Sequence, residues 1–87
     1  MNKLMIHNIS TQTTPSLSTL DYHLGSASDI YIALHDQEGN MKKVLLDDHH
    51  TKGKHRLSWD TRTLRKGPYF IHIRMPNRRL VKKIDVA

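Results

Sequence analysis

Between Gly53 and Ile73 the chain spells out two strands and the turn between them: Gly53-Lys54-His55-Arg56-Leu57-Ser58-Trp59-Asp60, then Leu64-Arg65-Lys66-Gly67-Pro68-Tyr69-Phe70-Ile71-His72-Ile73. A strand ending in Trp-Asp, a Gly-bounded turn and an aromatic-rich strand are the material from which a small β-sandwich builds its core. The single Trp and the single Phe both lie here. In the first strand His55, Leu57 and Trp59 share one face and Arg56, Ser58 and Asp60 the other. Asp60, following Trp59, is placed to close a turn by accepting backbone N–H bonds on its carboxylate.

The same two-residue period recurs upstream. Leu20, Tyr22 and Leu24 alternate with Asp21 and His23, and Ile30, Ile32 and Leu34 alternate with Tyr31, Ala33 and His35, as in strands with one buried face. Asp36-Gln37-Glu38-Gly39 fits a type I turn closed by a Gly bulge, which returns the chain as a hairpin through Met41 to Leu46. The buried set of that return strand is either Met41, Lys43 and Leu45 or Val44 and Leu46. Asp47 to Lys52 reads as a polar loop. Tyr69 to Met75 is a strand, Pro76-Asn77 suits a β-turn, and Leu80 to Val86 pairs back as the last strand. Ser10 to Ser18 lacks an apolar period and reads as a loop or flexible connection, with Leu4 to Ile9 before it as a first strand or a leader. No segment holds a helical period over ten residues. The expectation is an all-β, antiparallel sandwich of six or seven short strands, immunoglobulin-like or fibronectin-like, over residues 20–87, with residues 1–19 as leader or first strand plus connection. The Trp-bearing strand and the closing hairpin are expected to be neighbours in it.

With 87 residues there is room for one domain, burying about 60–65% of its unfolded surface, and none for a deep catalytic cleft. The absence of Cys excludes a disulfide framework, a zinc ribbon and a thiol nucleophile. Apolar runs are a few residues long, so no membrane span is expected. His7 and Asn8 interrupt the N-terminal apolar stretch before signal-peptide length. Charge is lopsided: residues 1–51 hold three Lys/Arg against six Asp/Glu, or −3, and residues 52–87 hold eleven against two, or +9. That basic half is either the solvated face of ordinary strands, where Lys also guards edges, or a docking surface for an acidic partner.

Leu20-Asp21-Tyr22-His23-Leu24, Asp29-Ile30-Tyr31-Ile32, Asp36-Gln37-Glu38-Gly39, the stretches from Gly53 to Asp60 and Gly67 to Ile73, and the terminal Val81-Lys82-Lys83-Ile84-Asp85-Val86-Ala87 together resemble the type A C-terminal sorting domain of the bacterial type IX secretion system. The likeness covers about residues 20–87. More loosely, the D-x-x-G, Trp-Asp and Gly-x-Tyr elements resemble the immunoglobulin-like domain of the flagellar hook-cap protein. The sorting-domain resemblance implies a seven-stranded sandwich, not an enzyme, at the end of a secreted protein. It further implies that cargo crosses the inner membrane by its own signal peptide, that an outer-membrane translocon recognises the sandwich, and that a sortase-like peptidase removes it. The family's finish of two lysines and an apolar strand is supplied by Lys82, Lys83, Ile84 and Val86. Its Pro-Asn-Pro element ahead of the second strand has no counterpart, since Asn8 is followed by Ile9 and the nearest Pro is Pro15.

Other chemistry is less well supported by the residues. His49 and His50, with Asp47, Asp48 and His55 nearby, lack a recurring ligand spacing and read as a solvated loop, so no metal or cofactor is expected. The seven His do raise the surface charge between pH 7 and 5. Ser58 and Asp60 lack a nucleophile-elbow context, and no catalytic residue is expected. Nucleic acid is disfavoured as a partner, because the basic cluster of Arg74, Arg78, Arg79, Lys82 and Lys83 is not clearly interleaved with exposed aromatics. The candidate partner-binding residues are Arg78, Arg79, Lys82, Lys83, Ile84 and Val86, on an edge that a partner could read by strand addition. Asp36, Gly39, Gly53, Trp59, Asp60, Gly67, Tyr69 and Phe70 form the structural motif. The leading expectation is a sorting signal, placed in the periplasm or at the cell surface when joined to cargo and in the cytoplasm if the chain is complete as it stands. The alternative is a free-standing adhesion or scaffold module. No pattern specifies an oligomeric state.

Overall fold

The computed structural model describes residues 6–14 and 16–86. Seven strands follow one another: β1 (Ile6–Thr13), β2 (Leu17–Leu24), β3 (Ser28–Asp36), β4 (Met41–His50), β5 (Gly53–Asp60), β6 (Gly67–Met75) and β7 (Arg78–Val86). They form two antiparallel sheets, β1-β2-β5 and β4-β3-β6-β7. There is no helix among the described residues, and none long and apolar enough to cross a membrane.

Alternation dictates the core. Leu20, Tyr22 and Leu24 from β2 meet Ile30, Ile32 and Leu34 from β3 and Ile71 and Ile73 from β6, all essentially solvent-free. Each such side chain stabilises the fold by about 1.5–3 kcal/mol through burial. Trp59 brings β5 into this core, and Ile84 and Val86 bring β7 into it. Tyr69 is buried at the start of β6, and its hydroxyl donates to the Arg65 carbonyl at 2.8 Å, the tyrosine corner of immunoglobulin-like sandwiches.

The Asp36 turn is built as its residues require. The Gly39 amide donates to the Asp36 carbonyl at 3.1 Å, and Gly39 takes φ 87°, a region open to glycine. The Glu38 and Asn40 amides both donate to Asp36 Oδ1, at 3.0 and 2.9 Å.

Four expectations are corrected. The Ser/Thr-rich segment is not a loop throughout: β1 runs to Thr13 and β2 starts at Leu17, paired from Ser10↔Asp21 to Thr13↔Ser18. β-branched Thr suits a strand without an apolar period, and Ser18 donates to the Thr13 hydroxyl at 3.1 Å. Leu4 and Met5, where the first strand was expected to begin, lie outside the described residues. Second, Asp47 to His50 is strand, because these polar residues pair with Ser28 to Tyr31. Third, neither reading of the return strand's buried set holds. A bulge opposite Ile32 and Ala33 breaks the alternation, so that Leu45 and Leu46, consecutive in sequence, both pack on the core. Fourth, the Trp-bearing strand and the closing hairpin are not neighbours. β5 and β7 are edges of different sheets, and it is β1 that meets β7 across the sandwich.

Candidate partner-binding surface

β7 pairs with β6 without interruption from Gly67↔Val86 to Met75↔Arg78. Among the described residues its other side has no strand partner, because β7 ends the four-stranded sheet. Alternation sends Leu80, Lys82, Ile84 and Val86 inward and Arg79, Val81, Lys83 and Asp85 outward. The six expected docking residues therefore separate. Arg78, Arg79 and Lys83 are exposed and Lys82 is half-buried, whereas Ile84 and Val86 are 4% and 3% exposed and belong to the core. Ile84 and Val86 can offer a partner their backbone but not their side chains.

The sandwich has four edge strands, and they differ in how they discourage pairing. β1 is broken between His7 and Ser10, with Asn8 at φ 53°, and β4 carries two irregularities. Such bulges twist an edge away from added strands. The pairings of β5 and β7 are regular throughout.

Electrostatics single out the β6–β7 side. Among the described residues the ion pairs are Lys42–Asp36, His49–Asp29, Arg56–Asp21 and Arg62–Asp60. None involves Arg74, Arg78, Arg79, Lys82 or Lys83, so the positive charge of the second half gathers there without ion pairs. Asp60 is neutralised locally. Bonds from the Arg62 guanidinium, then from the Arg62 amide, hold its carboxyl at about 2. Its Oδ1 accepts the Arg62 N–H at 2.8 Å, the turn closure expected of it.

The histidines distribute in a way their spacing in the chain conceals. His49 and His50 point apart: His49 Nδ1 lies 2.8 Å from Asp29 Oδ1, while the His50 ring stacks on His55 at 4.3 Å. The Tyr22 hydroxyl lies 3.0 Å from His50 Nδ1, and burial pushes that phenol up to about 12. This cluster links β4 and β5, which are edges of different sheets. Among the described residues no three His, Asp or Glu side chains converge as a metal would require. Ser58 shares a 3.3 Å hydrogen bond with Thr19, and Asp60 is engaged by Arg62, so these two do not form a catalytic pair.

Sequence reasoning missed the outer face of the four-stranded sheet, where pairing sets Tyr31, Arg74 and Arg79 in one row and Val44, Ala33, His72 and Val81 in the next. Alternation alone marks these residues as outward. Which of them share a row depends on register.

Comparison with known proteins gives one finding on this chain: the family model described as "Secretion system C-terminal sorting domain" matches residues 6–87. No curated protein and no solved structure matches it significantly.

Proposed function

The chain belongs to the secretion system C-terminal sorting domain family, and on that premise we propose that it acts as a sorting signal, without turnover of its own, read by outer-membrane secretion machinery through the β6–β7 hairpin. Membership supports the role of a type IX sorting tail on an exported protein. The observation that favours the hairpin is the unbulged nine-residue edge of β7, unpaired among the described residues and flanked by cations that form no ion pair among them. An edge of this kind accepts an added strand through its backbone groups, while Arg78, Arg79, Lys82 and Lys83 favour an acidic approach surface. The inward Ile84 and Val86 keep the strand in register by anchoring it in the core.

In this reading the partners are the translocon and the sorting peptidase, and the destination is the cell surface or the medium. The test fuses a reporter, with its own signal peptide, ahead of the chain in a bacterium that has a type IX system. Lys82→Glu/Lys83→Glu should leave the reporter in the periplasm while far-UV circular dichroism of the purified domain is unchanged. Normal export of that folded variant would remove the hairpin from the proposal. Deleting Lys82 to Ala87 is a weaker test, because it also strips Ile84 and Val86 from the core.

A further inference from the structure

We infer that the solvent face of the four-stranded sheet is a second docking surface, for an acidic protein segment that also carries apolar side chains. Two cross-strand rows carry the inference. In the first, Arg74 and Arg79 stand directly opposite each other, and neither has a carboxylate within ion-pairing distance among the described residues. Like charges directly opposite one another on a sheet are destabilising, so an arriving anion removes a repulsion as well as adding an attraction. The Arg74 guanidinium lies 4.6 Å from the centre of the Tyr31 ring, which holds it flat and leaves its N–H edge to a carboxylate. Shallow depressions of about 340 and 320 Å³ flank this arrangement, and Tyr31, Arg74 and Arg79 border both; Asp29 and Asp47 line the first, so the second, whose lining holds no carboxylate, is the place for the anion.

The second row runs Val44, Ala33, His72, Val81 across all four strands. Val44 and Val81 are 42% and 58% exposed, and Met41, paired to His35 beside this row, is 52% exposed. Three of the four large apolar side chains exposed among the described residues thus collect on one face, next to an unneutralised pair of arginines. Three carboxylates also lie on this face, and they bound where the anion can sit. Asp29 is engaged by His49, Asp47 is opposite Tyr31 on the far strand, and Asp85 is opposite Pro68 at the other end.

A carboxylate on Arg74 and Arg79, with a branched side chain against Val44 and Val81, uses both rows. A nucleic acid uses only the first: the Tyr31 face that could stack a base is covered by Arg74, and valines offer nothing to a phosphate backbone. Arg79 is common to this face and to the hairpin edge. The face otherwise depends on side chains of β3, β4 and β6 and on Val81 of β7, and it does not require the sorting role.

The experiment is an NMR titration of the full chain with a short capped peptide alternating Glu and Leu. Resonances of Tyr31, Ala33, Val44, Arg74 and Val81 should move. Arg74→Gln and Arg79→Gln should each weaken binding about tenfold, as the loss of a charge-assisted hydrogen bond does. Replacing Glu by Gln in the peptide should abolish binding. Arg79→Glu should also abolish it, while raising the Tm because the opposed charges become a pair. Shifts confined to the β7 backbone, no shifts at millimolar peptide, or tighter binding of oligothymidylate than of the peptide would each overturn the inference.

Discussion

Lowering the pH from 7 to 5 should loosen this sandwich, and the cause is two half-buried histidines, His50 and His72, each packed against a second imidazole ring. His7 stacks on His23 at 4.5 Å between β1 and β2, His35 meets His72 at 4.0 Å between β3 and β6, and His50 stacks on His55 at 4.3 Å between the two sheets. In the last two of these pairs a second imidazolium charge at such a distance repels the first by about 1 kcal/mol in water and more where water is excluded. Burial, and then the His55 ring, hold His50 below the ordinary imidazole range, and burial followed by His35 does the same to His72. The folded chain therefore binds fewer protons than the unfolded one. The stability these rings contribute is present above the unfolded value of 6.5 and is lost as pH falls below it. A histidine kept wholly neutral while its unfolded counterpart protonates loses about 2 kcal/mol of stability between pH 7 and 5. Both rings are partly open to water, and screening brings the pair of them to roughly 1–2 kcal/mol in total. The His49–Asp29 contact, with side chains 60% and 79% exposed, is screened by water. For a domain of this size the loss corresponds to a fall in Tm of roughly 5–15 °C. Thermal unfolding followed by Trp59 fluorescence at pH 7, 6 and 5 reads it directly. His50→Gln/His72→Gln, which removes the two rings held below the ordinary range, should flatten the dependence. An unchanged Tm between pH 7 and 5, or an equally steep fall in the double variant, would refute the reasoning.

Two further outcomes are expected. Trp59→Ala should cost about 3–5 kcal/mol in urea unfolding, whereas Trp59→Phe should cost far less, because the indole N–H is buried without a partner among the described residues and its removal offsets lost packing; equal losses would contradict this. Asp60, held at about 2 by Arg62, contributes stability that is present above its ordinary 3.8 and lost as pH falls toward 2, so Asp60→Asn should flatten that acid limb in a circular-dichroism titration.

Much of the fold was legible because its signals are local. Period-2 alternation identified the inward sets of β2, β3 and β5, and Asp36 to Gly39 and Pro76-Asn77 marked two hairpins through turn chemistry. The segments misread as loops, Ser10 to Thr13 and Asp47 to His50, are polar on both faces. Their strand character comes from the partners they pair with, and a propensity cannot display a partner. The candidate site divides in the same way. Lys82, Lys83, Ile84 and Val86 could be assigned to opposite faces of one strand from alternation, but the freedom of that edge, and the bulges that blunt β1 and β4, required the pairing pattern. Tyr31, Val44, Arg74 and Val81 drew no attention as a group because they are contributed by four strands.

The order of residues alone determined that this chain is all-β, how its hairpins turn and which side chains are apolar enough to be buried, since these follow from backbone preference and short-range periodicity. Only the tertiary structure decided that β5 and β7 end different sheets, that six histidines meet in three pairs, and that two arginines face each other beside exposed valines. These are consequences of register between distant segments, and register is set by the joint packing of two sheets around one core.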